Sequence, residues 1–212
     1  MIRGKKVFRN DYFNGGTYYS DILQKIEERF DASLEAHSQV LQVMLTVRFP
    51  RAIQPEYDNN CFQFFIEEYR RCLSNQGYDP RYVWVREKTN ETNRHHYHIV
   101  LFLDGNRIRY MANLNEANKY WQRALYKFYG YPGSAVGLIH IHGGCFDGIN
   151  MNNGICVNRI NQALQQECIM RAAYIAKTYS KELDSPYGVR GYGCSQLWSS
   201  PRPGYRATEC YI

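Results

Sequence analysis

The sequence predicts an α+β fold: a mostly antiparallel sheet with helices packed against it. Three observations predict it. Helix-like and strand-like periodicities alternate along the chain in the order α-β-α-β-β-α-β-α. Two of the strand-like runs, 81–88 and 95–103, are separated only by the polar turn TNETNR and read as a hairpin. Of the 212 residues 44% are hydrophobic, enough to bury a core on such a sheet. No linker, repeat or low-complexity run divides the chain, so 1–212 reads as one domain.

Each element has a local reason. Residues 1–16 are polar and basic, closed by Gly15 and Gly16, and read as an arm or loop. From Thr17 a helix is expected, with Leu23, Ile26, Phe30 and Leu34 at helical spacing. The run QVLQVMLTVRF (39–49) has no breaker and reads as a buried strand that Pro50 and Pro55 close. Asp58 and Asn59 can cap a second helix, with Phe62, Ile66, Tyr69 and Leu73 on one face and Gly77 at its end. RYVWVREK and HHYHIVLFL form the hairpin. Asn113 and Glu116 resemble a capping box before a helix carrying Leu114, Ala117, Trp121, Leu125 and Phe128. AVGLIHIH (135–142) reads as a strand, the Gly- and Asn-rich 143–158 as a long loop, and 162–183 as a helix. The tail from 184 has weak periodicity.

Bulk chemistry narrows the function. The net charge is +6 and tyrosine occurs 19 times, which suits a phosphate backbone and base stacking, or simply a slightly basic protein. The seven cysteines include no CxxC pair and fit neither a zinc ribbon nor a disulfide framework, so reduced thiols in the cytosol are expected. No apolar run reaches the roughly 18 residues of a membrane helix, and the basic N-terminus has no apolar core of a signal peptide.

The most pointed stretch is RHHYHIVLFLDG (94–105). Residues i and i+2 share a strand face, so His96 and His98 point the same way while Tyr97 and His95 point oppositely. Pairing through the 89–94 turn sets Glu87 opposite His96, with Cβ atoms about 5 Å apart. Two imidazoles and a carboxylate suit a divalent ion, Mn²⁺ or Mg²⁺, with open positions for water and phosphate. The plain alternative is a pair of histidines that cap a strand and bind water. His140 and His142 share the same spacing, and His140 is an alternative third ligand. His95 is expected at the surface or facing phosphate.

A second constellation lies in AAYIAKTYSK. Tyr174 and Lys177, three apart, are neighbours on a helix face. A phenol is a weak nucleophile at neutral pH, and a nearby ammonium lowers the cost of its phenolate. On a continuous helix Tyr179 falls about 140° away, so one active tyrosine is expected. An ordinary surface YxxK is the alternative.

Together HxH, the upstream carboxylate and the downstream YxxK resemble the HUH endonucleases. The run HYHIVLFLDG, WQRAL, GLIHI, RAAYIAKTYSK and RGYGCSQL is most similar to the inovirus-type rolling-circle replication initiators of filamentous phages and prophages. The resemblance covers roughly residues 39–197, leaving an N-terminal arm and helix (1–38) and a tail (198–212) outside it. It implies a central antiparallel sheet of about five strands, with the histidine pair on an inner strand and the tyrosine helix packed across it. It implies Tyr174 as nucleophile, Lys177 as a phosphate-steadying partner, and a metal on His96, His98 and Glu87. The product would be a 5′-phosphotyrosine link and a free 3′-OH on single-stranded DNA or an origin hairpin. A host helicase and polymerase would be partners in a bacterial cytoplasm, since no GxxxxGK[ST] occurs. Lys181, Arg190, Arg202 and Arg206 are expected DNA contacts. Relaxases and transposases of the same chemistry, and a non-catalytic DNA-binding regulator, are the rival functions. An RNA-binding sheet platform would use Tyr82, Trp84 and Tyr97 as exposed aromatics.

Overall fold

The computed structural model describes residues 7–10, 16–88, 94–108, 115–143, 145–146, 149–150, 154–178 and 188–197. In chain order its elements are β1 (Val7–Asn10), β2 (Gly16–Tyr19), α1 (Ser20–Ala36), β3 (Gln39–Val47), α2 (Asn60–Asn75), β4 (Arg81–Lys88), β5 (His95–Asp104), α3 (Asn115–Tyr129), β6 (Ile139–Ile141), β7 (Cys145–Phe146), β8 (Ile149–Asn150), β9 (Ile155–Asn158), α4 (Gln162–Ala172) and β10 (Tyr192–Cys194). A 3₁₀ turn, Ala173–Ala176, follows α4. Six strands make one antiparallel sheet in the order β10-β4-β5-β3-β6, with β9 also on β3. The α+β class read from the sequence is therefore the observed one.

Alternation in the strands sorts the core into two layers. Odd residues of β3 and β5, such as Leu45 and Ile99, pack with α2 and α3 around Phe62, Phe65 and Trp121. Even residues of β5, with Val83 and Val85 of β4, pack under α1 and α4 around Ile22, Ile26, Phe30 and Cys168. On the α2 side Phe62 stacks on Tyr97 with ring centroids 3.7 Å apart. The expected apolar faces of α1 and α2 are both buried. Gly77, at φ +77, closes α2 by taking a left-handed conformation that costs glycine nothing.

Several elements depart from the sequence reading. The N-terminal run is not simply an arm: β1 and β2 pair, and α1 starts at Ser20 rather than Thr17. Asn59 precedes α2 without capping it, because its side chain is spent on Tyr97 Oη, Arg86 and the Arg190 carbonyl. The strand read over 135–142 shrinks to β6, three residues long. The Gly- and Asn-rich run contains β9, which takes the part of the β3 edge that β6 leaves open. The tail contributes β10, which Gly193 lets lie against the buried Trp84 ring. The helix read over 162–183 ends at Ala172. Lys177 is extended at φ −58, ψ 141 and forms a β-bridge with Tyr18, while Thr178 N–H donates to the Thr17 carbonyl, so tertiary pairing pulls the chain out of the helix. The Asn113 cap and the 89–93 turn lie outside the described residues. Tyr82, Trp84 and Tyr97 are buried under α2, which removes them as a platform for RNA.

Candidate metal and tyrosine site

The site grows from the hairpin register. Glu87 of β4 stands directly opposite His96 of β5, as the turn length predicts, and Val85 stands opposite His98. Alternation then aims Glu87, His96 and His98 out of the same sheet face. His96 Nε2 lies 3.1 Å from His98 Nε2. Glu87 Oε2 lies 3.6 Å from His96 Nε2 and 3.3 Å from His98 Nε2. With metal–ligand bonds of about 2.1 Å, neighbouring ligands stand about 3.0 Å apart in an octahedron and about 3.4 Å apart in a tetrahedron. Two of the three separations fall in that range and the third, 3.6 Å, is slightly longer, so the three groups could hold a metal ion. Burial, and the charges of neighbouring groups after it, pushes both His96 and His98 down to about 4. Both are neutral at pH 7, the form in which imidazole is a ligand.

Tyr174 comes to this face from the 3₁₀ turn. Its ring centroid is 5.8 Å from that of His98 and 6.5 Å from that of His142. Tyr174 is 38% exposed, whereas Ala172, Ala173, Ile175 and Ala176 around it are buried. The small and apolar neighbours thus anchor the turn and leave the phenol at the surface. The Lys177 N–H donates to the Tyr174 carbonyl at the end of the turn, and Lys177 Nζ stands 5.4 Å from the Tyr174 ring centroid.

The family model of the YagK/YfjJ C-terminal domain matches residues 2–195. The chain belongs to this family. None of the curated proteins matches it. Within this YagK/YfjJ domain the match takes in α1, the hairpin, the 3₁₀ turn and β10, and so every residue of the site described above.

Thr46, which the sequence did not single out, joins the candidate site of this YagK/YfjJ domain. Thr46 of β3 pairs with His98 on one side and His140 on the other. Its hydroxyl lies 2.8 Å from His98 Nδ1 and 2.5 Å from His142 Nε2. A ligating Nε2 leaves Nδ1 of His98 as the N–H, which donates to Thr46 Oγ1; the hydroxyl hydrogen is then free for His142 Nε2. His142, not His140, is the histidine of the second pair that reaches the site; His140 is exposed. The His142 N–H donates to the Met44 carbonyl, and Arg171 of α4 donates to the His142 carbonyl at 2.6 Å. Burial first, then His98, His140 and the nearby arginines, pushes His142 down to about 4.

His95 is corrected. It does face away from His96 and His98, but into the core beneath α2, 6% exposed. Arg86 Nη2 donates to its Nδ1 at 3.1 Å, and Phe49 lies edge-on to its ring. Burial, then the charge of Arg86, pushes it down to about 3. Arg190 is exposed, with its carbonyl held by Asn59 at the start of α2. Lys181, Arg202, Arg206 and Tyr179 lie outside the described residues. The helical separation that set Tyr179 apart from Tyr174 does not apply, because the helix ends before either. Among the described residues, no helix is long and apolar enough to cross a membrane.

Proposed function

We propose that this protein is a metal-dependent endonuclease and strand transferase for single-stranded DNA that works through a covalent phosphotyrosine. One observation carries the reading: a half-exposed tyrosine, topped by a lysine, stands beside two histidines and a glutamate that converge as ligands. An ordinary surface tyrosine has no such neighbours. A divalent ion on Glu87, His96 and His98, Mn²⁺ or Mg²⁺ given one oxygen and two imidazole donors, supplies Lewis-acid polarisation of a phosphate when bound.

The chain's own residues do the rest. Tyr174 Oη attacks phosphorus in line; the Oη–P bond forms and the P–O3′ bond breaks. The phenol loses its proton and the departing 3′ oxygen gains one, so the products are a 5′-phosphotyrosine and a free 3′-OH. Lys177, above the ring, favours the phenolate and holds negative charge developing beside it. The new ester keeps the energy of the phosphodiester, so the strand can be rejoined without a nucleotide. The 3′-OH can prime a polymerase. Initiation of rolling-circle replication at an origin hairpin, with a host helicase, is the biology this chemistry fits best.

The test uses a pool of single-stranded oligonucleotides with Mn²⁺ and a denaturing gel. The wild-type protein is expected to give an SDS-resistant protein–DNA band that EDTA abolishes and Tyr174→Phe lacks. A band that persists in Tyr174→Phe moves the nucleophile to another residue. Tight binding to an origin strand with no cleavage replaces the enzyme with a DNA-binding regulator.

A further inference from the structure

We propose that Arg48 is the phosphate-binding residue of this site, its guanidinium holding a non-bridging oxygen of the phosphodiester that Tyr174 attacks. The inference deepens the nuclease reading and rests on it for the identity of the ligand.

Placement comes first. The antiparallel pairs Thr46↔His98 and Val47↔Tyr97 continue to set residue 48 opposite His96. Alternation turns Val47 into the core and Arg48 to the face of Thr46, His96 and His98. Arg48 is exposed there. Its charge is felt at three of the site's imidazoles, His96, His98 and His142. Tyr174, with Lys177 over its ring, approaches the row of His98 and His142, whereas the register places Arg48 in the row of His96 and Glu87. The two cations therefore reach the face from different elements.

The side chain has no visible structural task. The backbone of Arg48 is already fixed: its N–H donates to the Leu138 carbonyl and its carbonyl accepts from Trp121 Nε1. Its guanidinium makes no hydrogen bond or ion pair with the described residues. Other arginines are engaged, as Arg86 is with Tyr57, Asn59 and His95, and Arg94 with the carbonyls of Pro50 and Ile53. A cation left without an anion beside a cluster of ligand groups is placed for an anion that arrives. The ligand's chemistry asks for one. A phosphodiester carries one negative charge, and attack by a phenolate raises this to two on the five-coordinate phosphorus. A planar guanidinium matches two phosphate oxygens better than an ammonium does.

The experiment measures inorganic phosphate binding to the Mn²⁺-loaded protein by water-proton relaxation, beside the covalent-adduct assay on tiled single strands of the DNA that encodes the chain. Arg48→Ala is expected to bind Mn²⁺ as the wild type does, and to weaken phosphate binding and slow adduct formation by about 10- to 100-fold each. Arg48→Lys should recover part of the loss, and added guanidinium should partly rescue Arg48→Ala. Phosphate binding within twofold of wild type overturns the proposal. Loss of Mn²⁺ binding in Arg48→Ala also overturns it, because Arg48 would then be supporting the fold or the ligands. A wild-type protein that forms no adduct on any tile, yet binds phosphate through Arg48, sinks the nuclease reading and leaves the anion site standing.

Discussion

Thr46→Val removes one oxygen and almost no volume at a position that is 1% exposed. Among the described residues that oxygen joins His98 Nδ1 to His142 Nε2, at 2.8 and 2.5 Å. Without it the His98 N–H loses its acceptor, and the hydrogen bond that orients the ring with Nε2 toward Glu87 is gone. Loss of such an outer hydrogen bond lowers metal affinity by about 10- to 100-fold. At Mn²⁺ set to 100 times the wild-type Kd, the metal stabilises the wild-type protein by about 2.7 kcal/mol; a tenfold weaker site gives about 1.4 kcal/mol, and a hundredfold weaker one about 0.4 kcal/mol. For a chain of this length each kcal/mol moves Tm by about 2–4 °C. The Mn²⁺-induced rise in Tm should thus at least halve, and titration calorimetry should report the affinity loss directly. Comparing Tm with and without Mn²⁺ cancels the destabilisation that both forms of the variant share. Thr46→Ser should restore the rise. A valine variant that keeps the full rise would refute the claim that Thr46 orients the ligand.

Two further outcomes follow from the core. His95 is held near about 3 in the fold, against about 6.5 in the unfolded chain, so the unfolded state takes up the proton first as pH falls. Its contribution is present above pH about 6.5 and is lost below it, by about 2 kcal/mol between pH 7 and pH 5. Urea unfolding in EDTA at these two pH values should show His95→Phe losing less stability than wild type by that amount; equal losses would contradict a neutral buried His95. At Gly193 an added Cβ would sit 2.8–2.9 Å from the Trp84 ring, which is buried and cannot yield. Gly193→Ala should cost about 1–3 kcal/mol in thermal unfolding, and an unchanged Tm would mean that β10 does not rest on Trp84.

The part of the site legible in the sequence is the part built locally. Glu87, His96 and His98 lie on two strands joined by one short turn, so alternation and turn length sufficed to bring them together. Thr46, Arg48 and His142 reach the same face from β3 and from the end of β6. Their register is fixed by packing over long sequence separations, and no local pattern encodes it. The HxH parity of His140 and His142 could say that both share a face, but not which would meet Thr46. His95 shows the same limit: alternation gave its face, while its burial depends on α2 and α3 covering that face. The longest misreading, α4, arose because helical periodicity runs on past Ala172 while the partner that ends the helix, Tyr18, lies over 150 residues earlier in the chain.

That bridge between Tyr18 and Lys177 has a mechanical consequence. The turn carrying Tyr174 is moored at both ends: α4 holds it from behind, and the strand before α1 holds it in front. The Tyr174 phenol and the Glu87, His96 and His98 trio therefore belong to two parts of the chain whose spacing is kept by an N-terminal strap. A chain trimmed to begin at β3 would retain Glu87, His96 and His98 in their hairpin and let the tyrosine drift from them. The strand β2 is, in this sense, a gauge block for the distance between Tyr174 and the Glu87, His96 and His98 trio.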